Sequence, residues 1–310
     1  MPQAFDLIVL GAGPAGLAAA IYAARARLRT LVVDESIPGG QVKTTHLVSN
    51  YPGFPEDVKG ADLARAFAAQ AERFGAVVRR GVEVTALELR EPTKRLELDE
   101  EEEVTAPVVI LATGARSREL GIEGERKFRG RGLSYCSTCD GAYFEGKSIH
   151  VIGGGNSAVE ESLFLTRFVK KITLIHQLAE LTAEPGIAAE LLAHPQIEVR
   201  FRAEPRAFLG EGTVSTVRIE DLETHAQHDL PTEGVFIFVG MVPQTAAFKD
   251  QVPVDRWGYV PTDDEMATAV PGVYAAGDLR VKSYRQITTA VADGTIAALA
   301  AQKYLKQLRG

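Results

Sequence analysis

The chain has 310 residues, more than one core usually serves, and its 45% hydrophobic and 24% charged content is ordinary globular composition, so two domains of roughly 100 to 200 residues are expected. Disorder and collagen are excluded. The 34 basic and 41 acidic residues leave a net charge of −7, with no basic block longer than Lys127 to Arg131, so nucleic acid is not an expected partner.

Leu7 to Ala24 carries no charge, a length that a transmembrane helix or a signal segment would fill. Met1 to Asp6 supplies no positive leader, however, and Gly11, Gly13, Pro14 and Gly16 interrupt the stretch, where a membrane helix would lose backbone order. A buried strand Asp6–Leu10, a glycine turn and an alanine-rich helix from Pro14 to Ala26 fit better, with Pro14 in the tolerated first turn. No membrane contact is expected, and the cytoplasm is the expected location.

Gly11-Ala12-Gly13-Pro14-Ala15-Gly16 lies between that strand and helix, and the next strand, Arg29 to Val33, ends at Asp34. An acid about 20 residues beyond such glycines is placed to hold a ribose diol. The glycines let a pyrophosphate approach the backbone, and the helix N-terminus offers it free amides.

Downstream, Ala61 to Phe74 reads as an amphipathic helix with Leu63, Phe67 and Phe74 on its apolar side. Val82 to Leu89 and Arg95 to Leu98 alternate like exposed strands of a hairpin, and the acidic run Asp99 to Glu103 reads as a solvated turn. Val108 to Ala112 is a buried strand running into Thr113-Gly114-Ala115.

The first pattern then recurs as an internal repeat. Strand Ser148–Ile152 leads to the turn Gly153-Gly154-Gly155-Asn156-Ser157-Ala158, a helix Ser157–Phe168 and a strand Lys171–Ile175. His176 stands where Asp34 stands in the first unit, so the ribose carboxylate is missing. His176-Gln177-Leu178-Ala179-Glu180-Leu181-Thr182 shows no arginine cluster for a 2′-phosphate either. Gly153, Gly155, Asn156, Ser157 and His176 would line a dinucleotide site whose preference is unreadable; a Rossmann shell that binds no nicotinamide stays open. A second apolar strand, Gly234 to Val239, precedes Gly240 and Pro243. The expected fold class is α/β, with two Rossmann-like three-layer domains, residues 115–243 being inserted into a discontinuous domain of 1–114 and 244–310.

Cysteine occurs only twice, as Cys136-Ser137-Thr138-Cys139, followed by Asp140 and Gly141. Two intervening residues let both sulfurs meet across one helical turn, so the pair suits a disulfide that closes and reopens by thiolate attack. A carboxyl beside the second sulfur is placed to move the proton this chemistry needs. Half a zinc site would need two further ligands from His46, His150, His176, His194, His225 and His228. His225 and His228 have a plausible spacing, but they sit in a polar hairpin-like stretch, Glu223 to Asp229, far along the chain. Inert core thiols are the other alternative; no metal is expected.

Pro271 to Asp278 reads as a buried strand ending in Gly-Asp, and Ser283 to Ile287 enters a small-residue helix, Thr288 to Tyr304. An acid at a strand's carboxyl end, opening onto a helix N-terminus, is placed to hold a polyol chain and its phosphates. A plain helix cap by Asp278 is the alternative.

Over nearly its whole length the chain resembles the low-molecular-weight thioredoxin reductases. The matching stretches are Gly11 to Gly16, Pro38-Gly39-Gly40-Gln41, Asn50-Tyr51-Pro52-Gly53-Phe54, Ala112-Thr113-Gly114-Ala115, Cys136 to Gly141, and Ala275-Ala276-Gly277-Asp278 followed by Arg285-Gln286. The resemblance implies a tightly bound FAD, a homodimer, and a disulfide that faces the flavin and thioredoxin in turn as the inserted domain rotates. It assigns Cys139 to contact with the flavin, Cys136 to attack on the protein substrate, and Asp140 to general acid/base work. Asn50, Asp278, Arg285, Gln286 and Ile287 would hold the flavin, with Gly40, Gln41 and the backbone near Val84 along its nucleotide part. Tyr143 and Phe144 match a thioredoxin docking spot, against which plain packing under a strand is the alternative.

The departure from the family is a His-Arg-Arg-x-x-x-Arg string: the chain keeps its histidine, His176, and loses all three arginines. The expected function is a flavin-dependent protein-disulfide oxidoreductase acting on thioredoxin or a thioredoxin-like protein, with NADPH disfavoured. NADPH through other contacts, NADH, and reduced ferredoxin all stay open as donors. Small-disulfide reduction, delivery to a peroxidase, and a flavin-loaded scaffold with a vestigial second site are the alternatives.

Overall fold

A computed structural model describes residues 2–45, 47–48 and 50–309. His46, one of the histidines weighed as a zinc ligand, lies outside the described residues. The chain divides into two compact units, Met1–Arg116 with Val242–Gly310, and Ser117–Met241.

The first unit is built on a parallel sheet with strands in the order Val273–Ala275, Val108–Leu111, Leu7–Leu10, Thr30–Asp34 and Val77–Arg80. Its central strands LIVL and VVIL are buried along their whole length, as a sheet covered on both faces requires. One face carries helices Pro14–Arg25 and Ile287–Leu308, whose alanines, among them Ala19, Ala23, Ala297 and Ala301, form the core with Val9 and Ile110. Small residues let these helices approach closely: a methyl at Gly294 would collide with the Ala15 carbonyl.

The other face is covered by a second sheet, Gln3–Ala4, Glu102–Ala106, Lys94–Leu98 and Val84–Glu88, through Leu96, Leu98 and Val104 against Ile8, Leu10 and Val109. Here two expectations change. Asp99 and Glu100 do form a turn, both with positive φ, but Glu102 and Glu103 enter a strand because Val104 and Ala106 alternate into the core. The strand Lys94–Leu98 likewise alternates buried and exposed. Even Lys94 is buried, its Nζ donating to the Glu91 carbonyl at 2.6 Å.

The second unit repeats the plan. Its parallel sheet runs Leu133–Ser134, Val235–Ile237, Ser148–Ile152, Lys171–Ile175 and Ile197–Arg200. Helices Asn156–Leu165 and Pro185–Ala193 and the antiparallel sheet Ala203–Leu209, Thr216–Asp221 and Gln227–Pro231 complete it. The polar stretch from Glu223 turns into the last of these strands, and His225 Nδ1 meets Glu220 at 2.9 Å. Among the described residues no helix is long and apolar enough to cross a membrane, and no group of His, Cys, Asp and Glu is spaced to hold a metal.

Candidate active site and cofactor cradle

In the first unit the parallel strands end on one edge, which places Gly11, Asp34, Gly114 and Asp278 along it. Gly11 takes φ +100°, and a methyl there would collide with the Ala112 carbonyl; one at Gly16 would strike the carbonyl of Gly11. These contacts bring turn, strand and helix together and explain why glycine is needed at both positions. Gly13 is the extended N-cap of the first helix, with Pro14 and Ala15 in its first turn and no side chain capping it among the described residues.

Gly40 lies against this turn, since a methyl on it would come within 3.1 Å of the Gly13 Cα. Gln41 follows at the surface as the N-cap of a short 3-10 turn. Asp34 sits where the spacing puts it. Its Oδ2 accepts from the Ala12 N–H at 2.7 Å and its Oδ1 from the Ser36 N–H at 2.8 Å, so the carboxylate braces the glycine turn. At Gly114 φ is +72° and a methyl would meet nothing within 4 Å, so open space lies beside it. Val84 opens its strand opposite Leu98.

Asp278 follows the strand Val273–Ala275 and Gly277. Its Oδ1 is buried with no hydrogen-bond partner among the described residues. Burial raises its carboxyl pKa, opposed by Lys282 and Arg285 and reinforced by Asp293. Arg285 donates from Nε to the Asp278 carbonyl at 3.4 Å and stacks over Tyr259, 4.3 Å from the ring centre. Asn50 Nδ2 donates to Gln286 Oε1 at 3.3 Å. Gln286 caps the last helix in a capping box with Thr289, and Ile287, its first residue, packs on Val42, Val48 and Leu63. Residues far apart in sequence thus meet at one place.

Sequence reasoning missed the group that steadies this loop. Asp293, buried in the last helix, accepts from the Gly277 N–H at 3.1 Å, Arg280 at 3.0 Å and Lys282 at 2.7 Å. The available signal was one acid in a helix otherwise made of small and apolar residues from Ile287 to Ala301.

In the second unit, Cys136 and Cys139 are joined in a disulfide, their Cα atoms 5.3 Å apart. The chain makes one helical turn there, Ser137–Asp140. The Ser134 hydroxyl donates to Asp140 Oδ2 at 2.5 Å and accepts from the Cys136 N–H at 3.0 Å. Thr138 Oγ1 lies 3.5 Å from Cys136 Sγ. Tyr135 donates its hydroxyl to the buried carboxylate of Glu125 at 2.6 Å, and burial, with that hydrogen bond, pushes its pKa up. Phe144 is buried, packing edge-on against Phe236 with ring centres 5.1 Å apart, which accounts for it as core. Tyr143 is exposed.

The second glycine turn leads into a helix that starts one residue earlier and ends three residues sooner than the expected Ser157–Phe168. Gly153 takes φ +139° and Gly155 is the extended N-cap of the helix Asn156–Leu165, beside Ser157. Asn156 Oδ1 accepts from the Glu184 N–H at 2.7 Å. His176 is buried, and its ring lies on Gly154. Burial pushes its pKa down, opposed by a hydrogen bond with the Glu180 backbone. Thr182 donates its N–H to the Gly154 carbonyl at 2.8 Å. The nearby arginines are engaged: Arg200 pairs with Glu198 and Arg202 with Glu223.

A sequence profile described as pyridine nucleotide-disulphide oxidoreductase matches residues 5–294. The chain belongs to that family. This oxidoreductase is 44% identical over 309 residues to the thioredoxin reductase of Treponema pallidum (strain Nichols), covering 100% of both chains. It is 42% identical over 300 residues to a "34.2 kDa protein in rubredoxin operon" of Clostridium pasteurianum, covering 97% of each. Among solved structures it matches the thioredoxin reductase from Streptococcus pyogenes MGAS5005 at TM-score 0.94 and 38% identity, covering 99% of this chain and 100% of that one. It also matches the atypical thioredoxin reductase TRi from Desulfovibrio vulgaris Hildenborough at TM-score 0.52 and 32% identity, covering 97% and 98%. The oxidoreductase is therefore a flavin-dependent disulfide oxidoreductase of the low-molecular-weight thioredoxin reductase group.

The residues present fit a flavin dinucleotide. The Asp278 oxygen that has no partner among the described residues suits a polyol hydroxyl, and the helix start beside Gly13 and Gly40, which no described side chain caps, suits a pyrophosphate.

Proposed function

We propose that this oxidoreductase reduces thioredoxin or a thioredoxin-like protein through the Cys136–Cys139 disulfide. The observation that carries the reading is that disulfide with a carboxylate, Asp140, hydrogen-bonded to the residue that also holds the Cys136 N–H. Bound FAD supplies two-electron exchange between donor and disulfide.

The main chain from Gly11 through Gly13, Pro14, Ala15 and Gly16, with Gly40 and Gln41, holds the pyrophosphate side, and Asp34 the ribose. Asp278 takes a ribityl hydroxyl, with Asn50, Arg285, Gln286 and Ile287 around the flavin and Val84 and Gly114 along the cofactor's length. In the open pair, the Cys136 thiolate attacks the partner's disulfide and Cys139 then displaces the partner, re-forming the internal bond. Asp140 gives and takes the protons.

NADPH is a poor donor in this reading. Gln177, Leu178 and Thr182 stand where the resemblance places the three arginines that a 2′-phosphate needs. The intact turn Gly153, Gly155, Asn156 and Ser157 supports NADH, with reduced ferredoxin as the alternative donor. The enzyme is a cytoplasmic homodimer in the same reading. A second reading, a vestigial nucleotide fold, is favoured by the His176 ring lying on Gly154.

Replacing Cys139 by Ser tests the assignment. Flavin bleaching by the true donor should persist while turnover of the disulfide partner is lost; sustained turnover would overturn it.

A further inference from the structure

We propose that Ser134 is the positioning residue of the dithiol centre, holding the Asp140 carboxylate in place on the main chain of Cys136 before the disulfide opens. The inference rests on the proton role proposed for Asp140.

Ser134 is buried, and its backbone is fixed by parallel pairing of Leu133–Ser134 with Val235–Phe236. Its hydroxyl has one hydrogen to give. The Cys136 carbonyl lies 3.3 Å away, but Asp140 Oδ2 is nearer, at 2.5 Å, and the stronger acceptor if ionised. The Ser134 oxygen meanwhile accepts the Cys136 N–H, and the Asp140 N–H donates to the Cys136 carbonyl at 3.1 Å. One side chain thus ties the acid to the nucleophile's own backbone. Next to it, the Tyr135 hydroxyl donates to the Glu125 carboxylate at 2.6 Å.

The chemistry gives that tie a purpose. Two electrons from reduced flavin break the Cys136–Cys139 bond, leaving one sulfur as the attacking thiolate and the other as a thiol that has taken a proton. When Cys136 bonds to the partner's sulfur, the partner's own disulfide breaks and its departing thiolate takes a proton. Asp140 must be within reach for both transfers. A donor to the ionised carboxylate also lowers its proton affinity, so Ser134 sets the pH at which the transfers run.

Titratable and charged groups on adjoining segments are Cys136, Cys139, Tyr135, Glu125, Glu119 and Arg129, and the helix in contact with the turn carries Glu160 and Glu161. None is altered in the variants below.

The test uses the full-length, FAD-loaded enzyme. One readout is the pH profile of turnover on a thioredoxin disulfide. The other is the pH dependence of iodoacetamide alkylation after dithionite reduction, which needs neither donor nor partner. Ser134→Ala should move the limb governed by Asp140 up by about one pH unit in both profiles, with the flavin spectrum unchanged. Ser134→Thr should restore the parent profile. Asp140→Asn should remove the limb, and adding Ser134→Ala to it should change nothing more. A Ser134→Ala profile that superimposes on the parent, while Asp140→Asn alters it, overturns the role of Ser134 alone. Profiles indifferent to Asp140→Asn overturn the acid/base reading along with it.

Discussion

The imidazole of His176 rests on the α-carbon of Gly154, so close that a methyl group there would collide with Nδ1, Cε1 and Cγ. Gly154→Ala should therefore force the ring aside and lower stability by about 1 to 3 kcal/mol, the usual range for overpacking. Adding His176→Ala should return much of the loss. Denaturant midpoints of the two singles and the double measure the coupling, and strictly additive effects would contradict the contact.

Donor choice follows from the same loop. NADPH should bleach the flavin poorly under anaerobic conditions. Installing Gln177→Arg, Leu178→Arg and Thr182→Arg together should shift preference towards NADPH, each charge-assisted contact contributing about 1.5 to 3 kcal/mol. Rapid stoichiometric bleaching of the parent by micromolar NADPH would refute the first statement. Titration with NADH and reduced ferredoxin on the same preparation identifies the donor.

A pH dependence is built into the strand Ser148–Ile152. His150 is buried there with its Nδ1 unpartnered among the described residues. Burial, aided by Arg200 and Lys171 against Glu198, pushes its pKa from 6.5 to about 4. The unfolded chain takes up this proton near its ordinary value and the folded chain only near the lowered one. Stability from His150 is thus complete above the ordinary value and fades as pH falls through that window, by about 3 kcal/mol in all. Denaturant midpoints at pH 7 and 4.5 should differ less in His150→Leu than in the parent; an equal difference would rule the effect out.

Asp278 makes a split prediction. Its buried carboxyl has an oxygen without a partner among the described residues, so in flavin-free protein Asp278→Asn should leave stability unchanged or slightly higher. In holoenzyme the same change removes a charged acceptor, and FAD should bind roughly 10- to 100-fold more weakly. Flavin fluorescence on release measures the second effect and thermal melting the first. Unaltered FAD affinity would place the ribityl chain elsewhere.

Much of this was legible beforehand for a physical reason: the glycine turns, the parallel strands and the Cys-x-x-Cys spacing are local patterns. Leu7–Leu10 and Val108–Leu111 announce themselves as uninterrupted apolar runs, and His176 follows the second repeat as Asp34 follows the first. The acidic run misled because charge at Glu102 and Glu103 hid the inward alternation of Val104 and Ala106. Phe144 looked available because sequence does not show that Phe236 and Gly234 cover it. Ser134 with Asp140, and Asp293 with Arg280 and Lys282, were invisible for a different reason. Each partnership depends on where a short polar side chain lands after the strands are laid down, and neither carries a periodic signature.

The convergence on Asp293 has a practical corollary. One carboxylate of the C-terminal helix anchors Gly277, Arg280 and Lys282, so the segment presenting Asp278 and Arg285 cannot be settled without that helix. Clipping by a carboxypeptidase that unwinds it should release the yellow pigment and leave a pale protein, even though every glycine of the nucleotide turn is still in the chain.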